Sequence, residues 1–207
     1  GNPTGTVYTH EEVARLGDVA REHDLFLMAD EVYREFTYDG ETATGVLQLS
    51  GLEEHAIMLD SVSKRFSLCG ARIGCVASHN ADFMQAALKL AMVRLSAPAL
   101  DQLGVAACYE RTPDAYMAEI RTEYTRRRDL VVDRLNAMEG VTCRRPSGAF
   151  YAMARLDGVD TEYFARWLLT DFEDAGETVM VAPAAGFYAT PGLGRDEIRI
   201  AYVLETE

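Results

Sequence analysis

The chain has 207 residues, 48% of them hydrophobic and 26% charged, an ordinary globular balance with room for one sizeable domain or one and a half. Its formal net charge of −13 makes nucleic acid and anionic membrane surfaces poor partners. No apolar run reaches the length of a membrane span, no signal-peptide pattern opens the chain, and the four cysteines show no C-x-x-C spacing, so a reduced, cytoplasmic protein is expected. The histidines (His10, His23, His55, His79) are scattered and predict no bound metal.

In chain order, Gly1-Asn2-Pro3-Thr4-Gly5 is a turn cluster. A turn that tight normally joins two elements, so its place at residue 1 suggests either an unadorned start or a chain that has been cut. Asn2 reads first as a turn asparagine before proline. Thr9 begins a helix: it is a good N-cap, Glu12 completes a capping box, and Val13, Leu16 and Ala20 give an apolar stripe through Glu22. Leu25-Phe26-Leu27-Met28-Ala29 is a continuous apolar run, expected as a parallel-sheet strand covered on both faces. Helix followed by buried strand marks an α/β architecture. The strand leads into Asp30-Glu31-Val32-Tyr33, and open α/β sheets place ligands at the carboxyl ends of their strands. Asp30 reads either as a solvated strand-end residue or as a carboxylate that pairs with a pyridinium nitrogen and keeps that ring protonated. Tyr33 reads either as a half-buried core tyrosine or as a phenol donating to an oxygen of the same ring.

Two more strands are expected, over Ala56-Ile57-Met58-Leu59 and from Ile73 to Ala77. Between them, Ser61-Val62-Ser63-Lys64-Arg65-Phe66 and the residues up to Gly74 form an irregular segment of the kind on which chemistry is displayed. Lys64 is either a surface-loop lysine or an amine that forms a Schiff base with an aldehyde cofactor. Ser61, Ser63 and Arg72 suit a phosphate, since hydroxyls donate to its oxygens and guanidinium binds it in bidentate fashion. A phosphorylated aldehyde held beside an amine means pyridoxal 5'-phosphate. The chain has only two lysines, and Lys89 lies on a helical pattern where a solvated lysine is the ordinary reading.

Helices follow over 82–95, 98–110 and from Pro113 to Met138. The second is small and apolar enough to be buried. The third is long, and its cluster Arg126-Arg127-Arg128 reads as a solvated face salt-bridged by Glu119, Glu123 and Asp129. Gly140 stops it. Strands are expected over 141–144, 147–153, 178–183 and 197–203, with a helix from Thr161 through Trp167 to about Glu173. Gly148 is a point of close backbone approach. Arg199 sits between Ile198 and Ile200, where a buried guanidinium needs an anion. Either Asp196 supplies it or a ligand does.

Asn2-Pro3-x-Gly5, Asp30-x-x-Tyr33, and Ser61-x-Ser63-Lys64 with Arg72 eight residues on occur in an order and spacing that resembles the fold-type I pyridoxal-phosphate enzymes. The closest likeness is to the class I/II aminotransferases of the aspartate and aromatic type. The resemblance implies an α/β fold: a fragment of the large domain, a mostly parallel sheet with helices, over 1–112, then a long connecting helix and a small α+β C-terminal domain over 113–207. It implies that Lys64 holds the cofactor as a Schiff base and moves the substrate's α-proton. Asn2 and Tyr33 would bind the ring oxygen, Asp30 the ring nitrogen, and Ser61, Ser63 and Arg72 the phosphate, Ser63 being the weaker candidate. Arg199, with Asn2, would bind the α-carboxylate of the amino acid. The activity implied is transfer of an amino group between an amino acid and a 2-oxo acid in a full-length homodimer. Arg94 is a weak candidate for a side-chain-binding arginine. A lyase on the same scaffold, or an aminotransferase-like effector domain of a transcription regulator, is the alternative; histidine at the position of Tyr33 would have suited an α-oxoamine synthase. The family's motif at Asn2 normally falls near mid-chain, so a C-terminal half is expected here, without the upstream phosphate loop and ring-stacking aromatic.

Overall fold

The computed structural model describes residues 1–113 and 115–206. They form two compact units, one of Val7–Glu119 and one of Gly1–Thr6 with Ile120–Glu207. The division falls inside a long helix rather than before it, and the first residues belong with the C-terminal unit. No helix among the described residues is long and apolar enough to cross a membrane.

The Val7–Glu119 unit begins with helix α1, His10–Glu22. Its start is fixed as expected: the Thr9 side chain accepts from the Glu12 N–H, and the Glu12 carboxylate accepts from the Thr9 N–H at 2.8 Å. Val13 and Ala20 are buried, and Gly17 leaves room for Leu52, which any Cβ at that position would strike. Val13, Leu52, Val46 and Ala56 form the core against which Leu27, Ala29 and Met58 pack. Strand β1 covers Leu27–Asp30, β2 Ala56–Ser61 and β3 Gly74–Ala77, in the order β1-β2-β3. β1 and β2 are parallel; β2 and β3 are antiparallel.

β1 is not covered on both faces. It alternates between half-buried and exposed residues, and Met28 is 59% exposed. Its apolar run exceeds what this unit can bury on the outer side. Helix α2 is the single turn Val62–Arg65; α3 spans Ala81–Arg94 and α4 Ala99–Arg111. The expected burial of α4 is not observed: Leu100 and Leu103 remain 84% and 70% exposed, and only Val105 is buried. Apolar composition marks a helix that can be covered without saying what covers it.

Helix α5, Ala115–Asn136, runs into the second unit. There strands β4 (Val141–Cys143), β5 (Tyr151–Leu156), β6 (Ala182–Pro183) and β7 (Glu197–Ala201) form an antiparallel sheet in the order β4-β5-β7-β6. Helix α6 covers Thr161–Thr170. Ala152, Ala154, Ile198 and Ala184 are fully or nearly buried. Tyr124 of α5 stacks on Phe150 at 5.4 Å, and the Tyr202 hydroxyl donates to the Ala149 carbonyl. The strand expected over 178–183 shrinks to its last two residues, because only Ala182 and Pro183 find partners on β7; Val179 and Met180 stay exposed. The arginine cluster is only partly a solvated face. Arg126 and Arg127 do share Glu123, whose carboxyl their hydrogen bonds hold down at a pKa of about 2. Arg128 instead is 2% exposed, bonded to Asp129 at 2.8 Å and donating to the Pro146 carbonyl at 3.1 Å.

The opening turn closes onto this unit. Gly5 donates to the Gly1 carbonyl at 2.7 Å and accepts from the Gly148 N–H at 2.7 Å, the close approach expected at Gly148. Gly5 has φ +67, and a Cβ there would collide with Pro146 and lie 2.9 Å from the Gly148 carbonyl oxygen. Gly5→Ala should therefore destabilise the fold by about 2–5 kcal/mol, from left-handed strain and overpacking together. A denaturant titration checks this; an unchanged midpoint would mean that the turn is not held against 146–148.

Candidate functional site

In the Val7–Glu119 unit the site residues gather because of strand register. Pairing of Asp30 with Leu59 sets the carboxyl ends of β1 and β2 side by side, and the Glu31 N–H donates to the Leu59 carbonyl at 2.8 Å. Asp30 is exposed at that edge, and its carboxylate accepts from the Val32 N–H at 3.2 Å. This turn redirects the chain to Tyr33, which is half-buried and meets Phe36 edge-on. Antiparallel pairing of Ser61 with Gly74 then returns the segment after Lys64 to the same edge, and Val62 N–H donates to the Ile73 carbonyl. Arg72 thus stands two residues from the partner of Ser61.

Lys64 does not lie on an irregular segment. It lies on α2, whose start is capped by Ser61: the Ser61 hydroxyl oxygen accepts from the Ser63 N–H at 3.1 Å. The same oxygen lies 2.8 Å from the Ser63 hydroxyl and 2.9 Å from the Ile73 carbonyl oxygen. A serine that ends a strand in extended geometry can cap the turn that follows, and here that places Lys64 in the third position of the turn. Its Nζ stands 5.9 Å from the centre of the Tyr33 ring. Arg72 is exposed in the left-handed region (φ 56) and donates one of its five N–H groups to the Cys69 carbonyl at 2.8 Å.

Asn2 and Arg199 belong to the other unit. Arg199 sits on β7 between Met153 of β5 and Ala182 of β6. Its guanidinium donates to the Asn2 side-chain oxygen at 2.8 Å and lies 4.5 Å from the Tyr151 ring centre and 5.1 Å from that of Phe187. Asp196 is not its partner; that carboxylate takes Arg155 at 2.7 Å. Arg199 Nε is buried without a hydrogen-bond acceptor. A buried, unaccepted donor on a cation is costly, and a carboxylate is the group that would satisfy it. Tyr151, Phe187 and the Asn2 contact escaped sequence reasoning: the register of β5 on β7 would have offered Tyr151, whereas nothing in the sequence marks Phe187.

The donor set of the Val7–Glu119 unit fits pyridoxal phosphate. One connection carries an amine, two hydroxyls and a guanidinium, and the neighbouring strand end carries a carboxylate and a phenol. None of the described residues forms a cluster suited to a metal ion.

Residues 1–205 match the family described as aminotransferase class I and II. The chain is 32% identical to an aspartate aminotransferase of Bacillus subtilis, covering 97% of this chain and 50% of that protein. It is also 32% identical to aromatic-amino-acid aminotransferase 2 of Thermococcus litoralis, over 100% of this chain and 51% of the relative. The crystal structure of an aromatic aminotransferase from Pyrococcus horikoshii OT3 superposes with a TM-score of 0.82 at 32% identity, covering 99% of this chain and 53% of that one. The chain thus spans about half the length of the relatives it matches.

Proposed function

Because the chain belongs to the class I and II aminotransferases, we propose that the full-length protein transfers an amino group between an amino acid of the aspartate or aromatic type and a 2-oxo acid. The observation that carries this reading is Lys64 on a serine-capped turn at the carboxyl edge of the parallel strand pair, flanked by Ser61 and Arg72. Lys64 would hold pyridoxal phosphate, which supplies an electron sink for the substrate's α-carbon. Ser61, Ser63 and Arg72 would bind its phosphate. Asp30 would keep the ring nitrogen protonated, and Tyr33 and Asn2 would donate to the ring oxygen. Arg199 would orient the amino acid by its α-carboxylate, with Asn2 and the Tyr151 and Phe187 rings fixing the guanidinium plane. The Lys64 amine, when not holding the cofactor, would act as the base that takes the substrate's α-proton and as the acid that gives it back on the far side of the amino nitrogen.

Similarity to aspartate and aromatic-amino-acid aminotransferases supports the substrate class, and the two-unit organisation supports division into a remainder of the cofactor-binding domain and a small C-terminal domain. A homodimer is the state that the family resemblance favours, and four cysteines without C-x-x-C spacing favour the reducing cytoplasm. The test is an assay of the full-length, cofactor-loaded protein with aspartate or an aromatic amino acid and a 2-oxo acid acceptor. One new amino acid should form per amino acid consumed. Release of ammonia without acceptor consumption would overturn this reading in favour of a lyase.

A further inference from the structure

Beside the residues named above lies a buried ion-pair cluster in the Val7–Glu119 unit. Its centre is Asp60, whose side chain is 6% exposed. One carboxylate oxygen accepts from the Ser61 N–H at 2.7 Å. The other takes the Arg34 guanidinium at 2.9 Å and the Arg65 guanidinium at 3.3 Å. Both arginines are chain neighbours of proposed site residues: Arg34 follows Tyr33 and Arg65 follows Lys64. Glu35 lies 3.1 Å from Arg65 and 3.8 Å from Arg34, and Glu31 lies 3.4 Å from Arg34 while accepting from the Val46 N–H. Arg65 also donates to the Tyr109 hydroxyl at 3.0 Å, a phenol whose pKa burial raises against the opposing pull of Arg65.

We infer that Asp60 is a positioning residue: its carboxylate ties the Tyr33 turn, the Ser61 cap and the Lys64 turn to one another through Arg34, the Ser61 N–H and Arg65. This rests on the assignment of Lys64 as cofactor anchor. The physical case is economy of contact. Three segments that must keep fixed distances come from β1, β2 and α2, and one buried carboxylate bonds to all three. Charge-assisted bonds in a desolvated setting are short and directional. Removing one partner of a buried pair leaves the others uncompensated, so the effect would travel to Lys64 and Tyr33 without Asp60 touching the cofactor.

The test uses the full-length, cofactor-loaded protein with Asp60→Asn, and with Arg34→Gln and Arg34→Lys at the more exposed arm in case the first variant does not fold. The readouts are kcat, KM for the amino acid, and the pH midpoint of the visible absorbance change. If Asp60 positions, Asp60→Asn and Arg34→Gln move the midpoint in the same direction and lower kcat by about tenfold to a hundredfold, with KM changed far less. Arg34→Lys restores most of the loss. A purely electrostatic influence would move the midpoint in opposite directions, because one variant removes an anion and the other a cation; that result overturns the inference. So does an unmoved midpoint with kcat within about twofold in a folded Arg34→Gln protein. Borohydride labelling that misses Lys64 in the unsubstituted protein would instead overturn the anchor assignment, and the inference with it.

Discussion

Lys64→Ala in the full-length protein should lower amino-group transfer by about ten-thousandfold or more. The side chain has two jobs in the proposed reaction, anchoring the cofactor and moving the substrate's α-proton, and alanine can do neither. The fold should survive: Lys64 is half-buried on a one-turn helix, its ring contact with Tyr33 is long at 5.9 Å, and the turn is capped by Ser61. Cofactor titration followed by steady-state assay checks this. Retained turnover, within about tenfold of the unsubstituted protein, would remove Lys64 from the chemistry and leave it an ordinary half-buried lysine of α2.

Arg199→Ala should raise the KM for amino acids strongly. The residue lost is one whose Nε is buried without an acceptor and whose guanidinium is held by Asn2 and two rings. A bidentate, charge-assisted contact to a carboxylate is worth roughly 1.5–3 kcal/mol or more, so kcat/KM should fall by about ten- to a hundredfold. Arg199→Lys should recover only part, because an ammonium cannot reproduce the planar fork that lies within 5.1 Å of the Tyr151 and Phe187 ring centres. An unchanged KM would make Arg199 a structural residue of β7.

Much of this arrangement was legible in the sequence, for identifiable reasons. Capping chemistry is local, so Thr9 and Glu12 announced α1 within a residue of its start. The motifs at Asp30, Tyr33 and Lys64 sit at strand ends, where a charge after an apolar run stands out. What the sequence could not supply was partnership. Arg199 had Asp196 as a candidate carboxylate three residues before it, but Asp196 pairs with Arg155 and the contact of Arg199 is Asn2, at the other end of the sequence. Arg128 looked solvated among charged neighbours, yet the Pro146 carbonyl and Asp129 make it a buried residue. Asp60, like Asp30, is a carboxylate that follows an apolar run, but only the positions of Arg34 and Arg65 single it out. The extents of β6 and the exposure of α4 depend likewise on what lies beside them, which periodicity does not encode.

The central claim is that Lys64 carries pyridoxal phosphate. Its most direct test is borohydride reduction of the cofactor-saturated full-length protein, followed by peptide mapping. The account predicts a pyridoxyl group on the Lys64 peptide, and the disappearance of that label in Lys64→Ala. A label on a different lysine, or none on a folded and saturated protein, would contradict it.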